Sequence, residues 1–224
     1  MSASSPTVGR SALYRIGAIL VCIAAAGLAG CSFEPTERLS RKAIGTVVVD
    51  GFADASSAWS LGETRYWKAR ATGDVIDVAN TPLGTGVSPI WFSGELPGDF
   101  QVSVRATVRK EGLDGGWGVE FGAKGRKFAY RALVYASGRF CLDRLFDVYP
   151  EFIHCIPRQP EVEAGTSTNV LSIRVVGQEI EIKVNDQDVV TFADDRYEPG
   201  ELSLAVAGAG TSVRFEDIAV VSLE

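Results

Sequence analysis

From Asn169 to Leu223 apolar and polar side chains alternate almost without a break, a periodicity that only an extended backbone can use. Leu171, Ile173 and Val175 fall on one side of the chain, with Ser172, Arg174 and Val176 on the other. Gly177-Gln178 turns the chain, Ile180, Ile182 and Val184 resume the apolar side, and Asn185-Asp186 turns it again before Val189, Val190 and Phe192. Tyr197-Glu198-Pro199-Gly200 then precedes Leu202, Leu204 and Val206, and Val213, Phe215, Ile218 and Val220 complete the run. Period-2 segments separated by Gly, Pro, Asn and Asp predict antiparallel strands packed as a sandwich.

The middle of the chain reads the same way. Arg65–Thr72 and Val75–Val78 form a hairpin about Gly73-Asp74, Ile90–Phe92 is a short strand, and Phe100–Arg109 alternates strictly. Gly112–Gly116 turns into Trp117–Gly122, and Lys124-Gly125-Arg126 turns into Phe128–Ala136. About twelve to fourteen strands in ~180 residues exceed an immunoglobulin domain and predict an all-β, two-sheet antiparallel jelly roll. The sandwich domain is assigned to residues 44–224, after a polar tether over 31–43 and a leader over 1–30.

In that leader, Arg10 and Arg15 precede a 14-residue apolar run, Ile16 to Ala29. This is the length of a signal-peptide core, whereas a spanning helix needs about 20 residues. The run ends in Leu28-Ala29-Gly30-Cys31, which resembles a bacterial lipobox. The resemblance implies cleavage before Cys31, lipidation of its thiol and acylation of the new amino group, and several acyl chains anchor stably. Ser32 after the cysteine implies sorting to the outer membrane, with the domain facing the periplasm. The alternative is an ordinary signal peptide with a chance cysteine. Cys22 leaves with the leader, so Cys141 and Cys155 remain. In an exported chain they either form a disulfide stapling a loop or stay as two free thiols.

The chain carries a net charge of −6 with no basic run, and loss of residues 1–30 removes two arginines and no acid, leaving −8. Such a chain is a poor nucleic-acid binder, because neutralising phosphates needs clustered Lys and Arg.

Asp50-Gly51-Phe52 with Ser57-Ala58-Trp59 resembles the opening of concanavalin A-like lectin/glucanase domains. The bacterial 3-keto-disaccharide hydrolase type and laminin-G-like relatives are the nearest forms. The ending resembles them too, through Asn169–Ile173, Val184-Asn185, Tyr197–Leu202 and Val213–Ile218. Asp186 departs from the Gly usual after that Asn, and Glu216-Asp217 from Asp-Asn. The resemblance implies the jelly roll and a saccharide ligand. It also implies a possible structural calcium near the chain ends, for which Asp50, Glu216 and Asp217 are oxygen donors.

Glycoside hydrolysis needs two carboxyl groups flanking one bond. The alternating Glu-Asp-Glu of the glucanases is missing, and Trp117–Gly122 offers only Glu120, set between Gly118 and Gly122. The single histidine, His154, is read as a loop residue. With valines of Phe100–Arg109 and Trp117, Val119 and Phe121 turned inward, Arg105 and Glu120 face outward, and Arg131 and Tyr135 follow from the next strand. If the three strands are neighbours, Arg105, Glu120, Arg131 and Tyr135 share one face, with the glycines leaving room over Glu120 for a sugar ring. The competing reading is an Arg-Glu-Arg ion network on a solvated sheet. Three functions remain: a lipid-anchored saccharide-binding protein without turnover, a sugar-active enzyme with Glu120 as acid or base, and an envelope lipoprotein that contacts other proteins.

Overall fold

The computed structural model describes the backbone of residues 45–48 and residues 58–94, 96–124, 128–147 and 149–223. The leader, the lipobox, the tether and Asp50 lie outside the described residues.

Strands β1 (Gly45–Val48), β2 (Gly62–Glu63), β3 (Trp67–Thr72), β4 (Val75–Asn80) and β5 (Val87–Trp91) come first. They are followed by β6 (Phe100–Lys110), β7 (Leu113–Lys124), β8 (Phe128–Tyr135), β9 (Phe140–Phe146) and β10 (Tyr149–Ile156). The alternating last third gives β11 (Thr168–Val176), β12 (Glu179–Val184), β13 (Gln187–Ala193), β14 (Glu201–Ala209) and β15 (Ser212–Ser222). They build two antiparallel sheets, one of nine strands in the order β13-β12-β11-β6-β15-β4-β3-β2 with β1 on β15, the other of six in the order β10-β9-β8-β7-β14-β5. This is the jelly-roll sandwich expected from the periodicity.

The inner faces meet in one apolar core. Val102, Val104, Leu171, Ile173, Ile180, Ile182 and Phe215 come from the nine-stranded sheet, and Trp117, Val119, Phe121, Tyr130, Phe140, Leu142 and Leu204 from the six-stranded one. Trp117 meets Phe215 edge-on across the layer, ring centres 6.0 Å apart. Burying a side chain of this size contributes roughly 1.5–3 kcal/mol, so the alternation that is visible in sequence is also what holds the sheets together.

Turn chemistry matches the reading at two points. Asn185 and Asp186 both take positive φ, 52° and 64°, the two-residue turn whose twist suits a hairpin. Asp tolerates the conformation that Gly usually supplies there. Asn185 also secures the turn by accepting from the Val170 N–H and donating to the Glu161 carbonyl.

Three expectations are corrected. β6 and β7 follow one another in sequence but belong to different sheets, because Glu111-Gly112 carries the chain across the sandwich rather than around a hairpin. The segment between Cys141 and Cys155 is no loop. It is the hairpin β9–β10, with the two cysteines opposite each other and disulfide-bonded, and His154 sits in a strand, half-buried near the Phe140 ring. β10 escaped the pattern because Pro150 and a bulge near Ile153 break its alternation, which an edge strand tolerates. Residues Leu113–Gly116, read as a turn, already belong to β7.

Candidate functional site

Cross-strand register sets up a polar row on the outer face of the six-stranded sheet. Trp91 stands opposite Ser203, Ser203 opposite Glu120, Glu120 opposite Arg131, Arg131 opposite Asp143 and Asp143 opposite Phe152. Ser203 Oγ donates to Glu120 Oε2 at 3.1 Å, Arg131 Nη1 lies 3.7 Å from Glu120 Oε1, and Arg131 Nη2 donates to Asp143 Oδ2. Glu120 is 5 % exposed and Asp143 1 %. Burial pushes both carboxyls above their ordinary values, against the opposing pull of the Arg131 charge. Arg131 Nε and Asp143 Oδ1 are buried without a hydrogen-bond partner.

The row thus contains two of the four predicted ligand residues and one that alternation did not flag, Asp143. Tyr135 shares this face but lies two rows away, opposite Gly116. Its ring is covered by Arg139, whose guanidinium carbon is 3.7 Å from the ring centre and whose Nη2 donates to the Asp114 carboxylate at 2.7 and 2.6 Å. Between the two rows run Ala205, Gly118, Leu133 and Cys141. Arg105 is not part of the assembly. It is on the outer face of the opposite sheet, with Asp217 and Val170 as register neighbours. The glycines also do something other than clear a path to Glu120. A Cβ on Gly118 would stand 1.8 Å from the Ala132 carbonyl oxygen, and Gly122 needs φ +62°. Gly118 serves close backbone approach and Gly122 a left-handed backbone conformation.

Of the three calcium donors Glu216 and Asp217 are described, Asp217 exposed and opposite Arg105, and no group of three His, Cys, Asp or Glu side chains that could hold a metal is found among the described residues.

A second constellation was not foreseen. Along β9, Phe140 and Leu142 point into the core, and the same parity points Arg144 inward at 4 % exposure. Arg144 reaches the open side of the sandwich, where the two edge strands β10 and β13 flank a groove of about 560 Å³. Its Nη1 donates to Asp194 Oδ2 and its Nη2 to Glu151 Oε2. Asp194 also accepts from the Arg196 N–H and Nε, each at 3.0 Å. Burial favours the protonated form of Asp194, yet the Arg196 donors and the Arg144 charge prevail and bring its pKa down to about 2. Phe152, 63 % exposed, and half-buried Phe192 line the same groove with Gln178 and Asp195. Behind them, Tyr130 packs against Phe192 and turns its buried hydroxyl to Asp194 and Arg144. The sequence signal for this site was Arg144 itself, a charge on the apolar parity of its strand.

This volume falls within the range of small-molecule sites. Polar planar groups beside exposed aromatic rings can take a hydroxyl-rich ring, with hydrogen bonds at its edge and carbon faces against the phenyl groups.

No family model matches the sequence, and no curated protein matches it. Solved structures do. The carbohydrate-binding module CBM66 from Bacillus subtilis overlays with a TM-score of 0.60 at 18 % identity, covering 74 % of this chain and 96 % of that one. A structure described under endo-acting O-glycanases of the human gut microbiota gives 0.56 at 11 % identity, covering 80 % and 100 %. A GH43 protein from Bacillus licheniformis gives 0.54 at 7 % identity, covering 72 % of this chain and 35 % of that one. The chain has the jelly-roll fold of carbohydrate-binding and glycosidase-type proteins. At these identities the likeness establishes the fold and nothing finer.

Proposed function

We propose that the protein binds a saccharide without turning it over, and that it does so at the cell envelope, held by lipid on Cys31. The observation that carries the binding reading is the edge groove, where the Arg144–Asp194–Glu151 constellation stands beside Phe152 and Phe192. The structural neighbours favour the same ligand class, since one of them is a carbohydrate-binding module. The lipid anchor rests on the Leu28-Ala29-Gly30-Cys31 motif.

The state of the carboxylates supports the non-catalytic reading. Hydrolysis needs two carboxyl groups free to trade protons across one bond. Glu120 and Asp143 are both engaged by Arg131 in a buried row, and Asp194 is saturated by two arginines. The described groove residues thus supply groups suited to holding hydroxyls.

A glycan array on the full-length protein tests this, with products analysed for turnover. Specific binding with no product, unchanged in Glu120→Gln, is the expected result. Turnover abolished in Glu120→Gln would establish the enzyme reading. A blank array from folded protein would move the function to contact with other envelope proteins.

A further inference from the structure

On the nine-stranded sheet, cations cluster on the outer face where β3, β4, β15 and β6 lie side by side. On β3 the inward residue is Ala69, which turns Lys68 and Arg70 outward, and on β4 inward Ile76 and Val78 leave Asp77 outward. On β15 inward Val213 and Phe215 put Arg214 outside, and on β6 inward Val108 does the same for Arg109. Register brings them together. Arg70 is opposite Asp77, Asp77 opposite Arg214, and Val213 opposite Val108.

The result is a depression of about 470 Å³ lined by Lys68, Arg70, Arg109 and Arg214, with Asp77 as its one carboxylate. On a chain of net charge −6, four cations around one acid run against the overall balance. Asp77 is consumed by Arg214, which donates through Nε and Nη2 at 2.9 Å each and is thereby fixed in orientation. Lys68 and Arg70 are held by Glu63, at 2.8 and 3.9 Å, from outside the lining. Arg109 has no ion pair or hydrogen bond among the described residues. Ser212 and Thr72 add hydroxyl donors at the wall.

We propose that this depression is an oxyanion site, built for a phosphate or sulfate ester carried on a larger ligand. Guanidinium forks match the oxygens of a tetrahedral anion in pairs. Arg109 supplies the free charge, Arg214 a pre-oriented fork, and Glu63 is the internal competitor that an anion displaces from Lys68 and Arg70. The inference stands apart from the groove and does not depend on saccharide binding there.

The test is calorimetric or NMR titration of the full-length protein at low salt with inorganic phosphate and with sulfate. Saturable binding is expected, weakened about fivefold or more in Arg109→Gln and strengthened severalfold in Glu63→Gln, with Arg109→Lys between wild type and Gln. The Glu63→Gln gain cannot come from misfolding. Glucose 6-phosphate and soluble dihexanoylphosphatidylglycerol then separate the sources. Tighter binding of the first assigns a sugar ester and of the second a lipid headgroup, and either supports the site. No saturable binding of phosphate or sulfate, or binding indifferent to both Arg109→Gln and Glu63→Gln, overturns it.

Discussion

Two arginine clusters sit back to back on the six-stranded sheet, and consecutive residues of β9 serve them. Asp143 faces outward to Arg131 and Glu120, while Arg144 faces inward to Asp194 and Glu151. Each has one central guanidinium between two carboxylates, yet their protonation is pushed in opposite directions. In the outer row burial wins, and Glu120 and Asp143 are raised. In the groove Asp194 receives two side chains and a backbone N–H, and is brought down to about 2. Donor supply decides the sign. A carboxylate that is buried with one shared arginine resists its charge, and one that is surrounded by donors keeps it.

The pH consequences follow with opposite signs. The folded state of the outer row takes up protons at higher pH than the unfolded chain, so this row becomes more stabilising as pH falls from neutral into the carboxylate range. The contribution of Asp194 is complete above the ordinary aspartate value of 3.8 and is lost as pH falls towards about 2.

Arg131→Leu should break the comparison most severely, because it leaves two buried carboxylates without a counter-charge. A loss of about 3–5 kcal/mol at neutral pH is expected in urea denaturation, partly recovered at pH 4–5. A loss independent of pH would contradict the assignment. Reduction of Cys141–Cys155, which ties together the hairpin carrying Asp143, Arg144 and Glu151, should cost about 3 kcal/mol by chain entropy. Thermal melts with and without reductant measure it. Asp194→Asn should cost about 2–3 kcal/mol, since it leaves Arg144 buried without that counter-charge, and should remove the acid-lability between pH 4 and 2. Glu120→Gln should be mildest, within about 1 kcal/mol at neutral pH, and should flatten the pH dependence above 4. Unfolding curves taken across pH separate these two.

The fold was legible because alternation and turn residues are local signals. Asn185-Asp186, Gly177-Gln178 and the valines of β6 stated their roles without the rest of the chain. The site was legible only in part, because it depends on which strands become neighbours. Glu120 and Arg131 were correctly placed on one face, since β7 and β8 form a hairpin. Arg105 was grouped with them only by assuming that β6 pairs with β7, and a two-residue connection does not tell a hairpin from a crossing between sheets. The groove was hidden for a different reason. Asp194 and Arg196 follow β13, and Arg144 precedes β10, so their meeting is a property of two sheet edges that no local pattern encodes.

The most direct measurement is a titration of the full-length protein with the saccharide selected by the array, comparing wild type with Phe152→Ala and Gln178→Ala. Both side chains are exposed at the groove, so neither change should shift the melting temperature. Saccharide binding in the groove predicts at least a tenfold loss of affinity in Phe152→Ala and a smaller loss in Gln178→Ala. Affinity unchanged in both, or lost in Phe152→Ala and on substitution of Trp91 but unchanged in Gln178→Ala, would contradict it, because Phe152 also ends the outer row.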